Sequence, residues 1–400
     1  MANTELSAVG ASSPAPASPP AEREIGYEHA HALTTVLSRL NVSLLVSTYQ
    51  AGKVAMVGLN KSQLHLSFHT FERAMGVAVR PDGGQIAVGS QRQVWFLNAA
   101  PQIAPRLPPS GRHDGCYVAR RAHYTGEIQI HEMSFGGPHR DELWCVNTLF
   151  SCLCTLDDEH SFVPRWQPPF ISALAAEDRC HLNGFCLGAD GAPAYVTAIG
   201  QTDSPQGWRS NKVSGGSLIH VPSNQTVLQG LSMPHSPRLD AQNRLWVLDS
   251  GRGRLLAVDP QSGKSAVACE LPGYVRGMAI HAGHAFVGLS RIRETNVFGG
   301  LPIAAEPGEL KCGVGVVELA TGRLVAHLEF KSGVEEIFAV EVLPGLRCPA
   351  ISGPHPDLDG AQAIWNVPAP DEAAARNATS FERTTPPFRT GAAVTTSTPR

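Results

Sequence analysis

Three histidines, His131, His181 and His235, each stand at the start of a short apolar run that opens a repeated unit. Neutral imidazoles are metal ligands and, near neutral pH, proton acceptors. Gathered with a carboxylate such as Glu336, these three would suit a divalent Zn, Fe or Cu ion. Gathered with arginines, they would instead hold an anion while one imidazole moves a proton. Arg73 and Arg276 open the first and fifth units, and Arg238 follows His235 by three residues. Asn183 follows His181 by two. Trp208 and Arg209 end a polar stretch at 200–209, where an aromatic beside a guanidinium is placed to close over a ligand. The candidate catalytic residues are therefore His131, His181, His235 and Glu336, the same three histidines being the candidate metal ligands. Arg73, Arg238, Arg276, Asn183, Trp208 and Arg209 are the candidates for substrate binding. Against this stands a plainer reading: the chain has 16 His, and three of them at strand ends can simply be hydrated.

The elements that would position these side chains are short strands. The stretch 231–263 holds three apolar runs, each closed by Asp, Asn, Gly or Pro, which is the pattern of a β-meander. Similar runs begin near 73, 128, 180, 274 and 334, a spacing of roughly 40 to 60 residues that falls in the propeller range. Runs at 43–49, 53–58 and 64–68 precede the first unit and supply outer strands for the last one. Closing the ring in this way removes exposed sheet edges. The expected architecture is all-β: a six-bladed β-propeller over 28–367, closed by N-terminal strands. An Ala/Pro/Ser-rich lead at 1–27 and a tail at 368–400 carry no periodic apolar signal and read as disordered. A short helix is expected within 28–40. Inserts at 158–176, 200–214 and 290–312 are expected as loops.

Composition narrows the function classes. Only 17% of residues are charged, and 39 Gly and 31 Pro supply the turns that many short strands need. A formal net charge of −3 gives no basic field, so nucleic acid is excluded as an expected partner. No apolar run approaches the roughly 20 residues that span a bilayer, so no membrane association is expected. The N-terminus lacks a basic start and an apolar core, and nine Cys show no paired spacing; both point to a reducing cytoplasm. G-x-S-x-G, P-loop and H-E-x-x-H motifs are absent.

The segments NVSLLVSTYQAGKVAMVG, RAMGVAV, ELWCVNTLFSCL, RCHLNGFCL, YVTAIGQTDSPQGWR and MPHSPRLDAQNRLWVLDSGRG together resemble a bacterial family of conserved hypothetical proteins, over about 35–345. Some members of that family carry tetratricopeptide repeats, which this chain does not. The resemblance implies the architecture and no particular activity. Gluconolactonase-like propellers are similar in blade number but hold a divalent cation with Glu and Asn or Asp, where this chain has His. Arylsulfotransferase-like propellers are similar in placing His and Arg in a central funnel, a likeness of residue type alone. Two functions follow as expectations. One is an enzyme, metal-dependent if the histidines ligate, that acts on a small polar or anionic substrate. The other is a non-catalytic propeller scaffold that holds a protein or peptide.

Overall fold

The computed structural model describes residues 25–292, 299–305 and 310–367. Most of the expected lead (1–24) and the expected tail from 368 lie outside the described residues, as does part of the 290–312 insert. Six antiparallel sheets follow one another along the chain, and the first strand of each packs against the first strand of the next. The last of these strands returns to the first, so the sheets form a six-bladed β-propeller.

Blade 1 is built from Val77–Val79, Gln85–Gly89, Gln93–Ala99 and Cys116–Tyr124. Blade 2 uses Ile130–Gly136, Glu142–Asn147, Cys152–Thr155 and Val163–Trp166. Blade 3 uses Leu182–Leu187, Pro193–Ala198, Gly216–His220 and Gln225–Leu231. Blade 4 uses Pro234–Leu239, Leu245–Asp249, Arg254–Asp259 and Lys264–Glu270. Blade 5 uses Tyr274–His281, His284–Ser290, Gly313–Glu318 and Arg323–Phe330. Blade 6 is composite. Its inner strand, Ala339–Pro344, comes from the C-terminal side, while Val42–Thr48, Lys53–Asn60 and Gln63–Thr70 come from the N-terminal side.

The composite blade forms because Val42–Thr48 is buried along its whole length. A strand that is buried on both faces needs a sheet partner on each side and cover above and below. It pairs antiparallel with Ala339–Pro344, from Val42 opposite Pro344 to Ser47 opposite Ala339. Two straps reinforce the seam. Tyr27–His29 adds to the outer edge of blade 5, and the helix His31–Leu40 then packs Leu33, Val36 and Leu37 against blades 5 and 6. After blade 6, Ala350–Ser352 adds in parallel to the outer strand of blade 1. Buried Asp359 then accepts the Thr70 amide at 2.9 Å and meets the Lys53 ammonium at 3.3 Å on blade 6.

The expected loop at 158–176 contains the edge strand Val163–Trp166, and the loop at 200–214 contains the 3-10 turn Gly207–Asn211. Outer strands such as Lys264–Glu270 are mostly solvent-exposed, so they carry no apolar run to announce them.

Hydroxyl groups clasp neighbouring blades near the axis. Ser47 Oγ donates to Met75 O at 2.5 Å and accepts from the Ala339 amide at 3.0 Å. Thr148 Oγ1 donates to Leu182 O at 2.6 Å. Ser290 Oγ donates to Ile337 O at 3.1 Å and accepts from the Ile337 amide at 2.9 Å. Each hydroxyl satisfies backbone groups that the inner strands leave unpaired, in a region closed to water. Ser47 has no solvent exposure. Replacing it with Ala should strand both its backbone partners and destabilise the protein by about 1–3 kcal/mol in urea unfolding. A loss below about 0.5 kcal/mol would show that the clasp does not hold the seam.

Candidate functional site

The inner strands begin at one end of the ring, and their first residues line a cavity of about 310 Å3. Its wall includes His131, His181, His235, Arg276, Glu336, Trp208 and Arg209, with Tyr49, Gln129, Asp178, Tyr274 and Phe338.

Local backbone geometry aims the histidines. Gln129 and Met233 adopt left-handed φ values of 56° and 47° just before their strands, which turns the chain inward two residues later at His131 and His235. Each of these rings then folds back on its own turn. His131 Nδ1 donates to Gln129 O at 3.1 Å, with Thr148 Oγ1 at 2.8 Å. His235 Nδ1 donates to Met233 O at 2.9 Å, with Ser250 Oγ at 3.0 Å. A backbone carbonyl only accepts, so the proton of the neutral ring sits on Nδ1 and Nε2 keeps its lone pair. No described residue bonds to either Nε2.

His181 reaches the same cavity by a different route. It occupies the left-handed position itself, at φ 49°, so it aligns with Gln129 and Met233. It is therefore not in register with His131 and His235, although all three stand at the start of an apolar run. The residue in register with them in blade 3 is Asn183. Asp178, three residues upstream and also left-handed at φ 48°, accepts from His181 Nδ1 at 2.9 and 3.0 Å. Trp208 Nε1 donates to the same carboxylate at 3.0 Å and fixes it from behind. The imidazoles of His131 and His181 cross edge-to-face with centroids 4.9 Å apart.

Arg276 brings the positive charge. It is buried, lies 3.4 Å over the centroid of the Phe338 ring, and pairs with Glu336 Oε1 at 3.2 Å. Burial first, and the Arg276 charge second, hold both His131 and His235 well below the usual histidine pKa. Burial likewise pushes the Tyr274 hydroxyl far above its ordinary range, so it stays a neutral donor. The result is a cavity in which the neutral His131 and His235 rings stand beside the buried Arg276 guanidinium.

The family model described as "Domain of unknown function (DUF4915)" matches residues 31–352. The chain belongs to this family. A search of curated proteins finds no match. Among solved structures, the DUF4915 chain is similar to a chain of the nidogen/laminin complex, at 11% identity over 76% of this chain and 99% of that one, with a TM-score of 0.47. A protein of unknown function from Bacteroides caccae gives the same identity and TM-score over 76% and 98%. Virginiamycin B lyase from Staphylococcus aureus gives 11% identity over 60% and 71%, with a TM-score of 0.38.

Within this DUF4915 propeller, seven of the residues singled out by sequence meet in the cavity and three do not. Arg73 is half-exposed and pairs with Glu127 at 3.4 Å. Arg238 is spent on an ion pair with Glu132 and on the Phe185 and Pro237 carbonyls, at 3.1 and 2.8 Å. Glu132 in turn accepts the Phe185 amide at 2.8 Å, so this group staples blades 2, 3 and 4 together. Asn183 is buried and accepts from Thr197 Oγ1 at 2.7 Å. Trp208 is buried as a wall of the cavity, with Arg209 stacked on it at 4.7 Å. Sequence reasoning missed Asp178, although its position three residues before His181 was a readable signal. It also missed Tyr49, Gln129 and Phe338, which nothing in the pattern marks. Among the described residues, no group of three or more His, Cys, Asp or Glu is arranged to hold a metal ion.

The depressed histidines set a pH dependence. His235 is 4% exposed and neutral in the folded state, while an unfolded histidine protonates near 6.5. The unfolded state therefore binds more protons below pH 6.5, and this share of stability is complete above that pH and lost as pH falls. Glu341 acts in the opposite sense, because burial, with the Glu132 charge adding, raises its pKa to about 7. Its protonation favours the folded state as pH falls from about 7. Comparing variants cancels that contribution. His235→Asn should flatten the decline in stability between pH 6.5 and 5 relative to wild type, by up to about 1.4 kcal/mol per pH unit. Parallel curves from urea unfolding at each pH would contradict the buried neutral ring.

Proposed function

We propose that the axial funnel binds a small anionic molecule and acts on it, with Arg276 holding the anionic group and an imidazole Nε2 accepting a proton. The observation that carries this reading is the tie-back of all three Nδ1 atoms to internal acceptors, which leaves three Nε2 lone pairs beside a buried guanidinium. A guanidinium withdrawn from water favours an anion strongly, because its desolvation is already complete before the ligand arrives. Asp178 would hold the His181 ring in orientation and stabilise the imidazolium formed when the ring takes a proton. A volume of about 310 Å3 lies at the small end of ligand pockets and excludes a folded partner from the funnel itself.

The same tie-back pattern is found behind metal-ligating histidines, and that supports a second reading with a Zn, Fe or Cu ion on the three Nε2 atoms. The Arg276 charge opposes it, since a cation beside a guanidinium is repelled. Nine buried cysteines without a disulfide favour a cytoplasmic setting, and we assign the protein there. We place it also in the narrower bacterial family that its motifs resemble.

Arg276→Gln should weaken binding of small carboxylates, sulfate or phosphate at least tenfold by calorimetry, with the fold intact by circular dichroism. Unchanged binding would leave the scaffold reading in its place. Elemental analysis of untagged protein should find no stoichiometric transition metal. Stoichiometric metal that disappears in His181→Ala/His235→Ala would establish the metal reading instead.

A further inference from the structure

The hydrogen-bonding capacity of the funnel is lopsided, and the imbalance specifies its ligand. On one side of the account stand three Nε2 acceptors, on His131, His181 and His235, with no donor from any described residue. On the other side three of the cavity's strongest donors are already committed. The Trp208 indole is used by Asp178, the Arg209 Nε by Gln206 at 2.8 Å, and one Arg276 nitrogen by Glu336. A plain anion satisfies Arg276 but brings nothing to the imidazoles. It would strip water from three acceptors and leave them unpaired, which opposes binding.

We propose that the funnel takes a small acid that also carries hydroxyl or amino groups, the acidic group on Arg276 and the O–H or N–H donors on the imidazole Nε2 atoms. This rests on the anion reading above and adds the class of molecule. The crossed His131 and His181 rings, with centroids 4.9 Å apart, place two of the imidazoles side by side in the same cavity wall. His235, tied back in the same way from blade 4, offers a third. The burial that keeps His131 and His235 neutral preserves these acceptors at physiological pH. A cavity of about 310 Å3 holds about ten waters' worth of volume, which suits an acid of about ten heavy atoms.

Matched acids test this on the full chain. Tartrate and succinate share two carboxylates and differ in two hydroxyls; glycerate and propionate make a smaller pair. Calorimetry should show the hydroxylated member of each pair binding more tightly, by about tenfold for tartrate, the effect of two hydrogen bonds to neutral acceptors. His131→Asn/His235→Asn keeps a polar group near each tie-back carbonyl and withdraws two Nε2 acceptors; it should remove most of the tartrate preference. If that variant does not fold, the wild-type pairs decide alone. Succinate binding as tightly as tartrate would overturn the inference, while loss of both acids in Arg276→Gln would still uphold the anion reading. Failure of the wild type to bind any of the four, or indifference to Arg276→Gln, would overturn both.

Discussion

Ser47 and Ala339 are 292 residues apart and hydrogen-bond in one sheet. The pairing of Val42–Thr48 with Ala339–Pro344 converts a string of meanders into a ring, and only a ring has an axis. Without it, blades 1 and 5 would expose inner edges, and the cluster that joins Leu45 and Phe338 to blade 1 would open to water. Phe338 belongs to the approach to that closing strand and also supports Arg276. Ring closure and the charge in the funnel thus depend on the same few residues.

Within the ring, function and stability draw on one set of hydroxyl and carbonyl groups. Thr148 clasps blade 2 to blade 3 through Leu182 O and accepts a hydrogen bond from His131 Nδ1. Ser250 stands in the corresponding place behind His235. The histidines are therefore oriented by the joints between blades, and they are held as rigidly as the joints are. His181 departs from the pattern because it relies on a carboxylate. Asp178 is itself fixed by Trp208 from the 200–214 insert. One of the three imidazoles thus has a charged partner behind it, and two have neutral ones.

The blades were legible because turn residues punctuate the apolar runs of their inner strands, and the N-terminal runs at 43–68 read as outer strands of a closing blade, as pairing with Ala339–Pro344 bears out. The outer strands were not legible, since Lys264–Glu270 and Gln225–Leu231 face water and carry no periodic apolar signal. His131 and His235 were correctly paired by aligning runs, and the turn geometry explains why. His181 was aligned two residues out of register: the eye matches residue type, whereas the backbone matches left-handed positions, which sequence does not display. Arg238 looked like a ligand group for the same reason that it is a structural one. A buried guanidinium near the axis must find a carboxylate, and Glu132 in blade 2 meets it before any ligand does. Asp178 was readable from its spacing to His181, whereas Phe338 carries no such signal, since only the folded chain brings it beneath Arg276.

The claim on which this account turns is that His131 and His235 are neutral imidazoles that present unprotonated Nε2 atoms to the funnel. Nitrogen-15 NMR of the histidine side chains near pH 7.5 measures it directly, with His131, His181 and His235 assigned by single substitution. His131 and His235 should show the tautomer with its proton on Nδ1. A proton on Nε2 in His131 or His235 would mean that the carbonyl tie-backs do not exist in solution, and the acceptor-lined funnel would go with them.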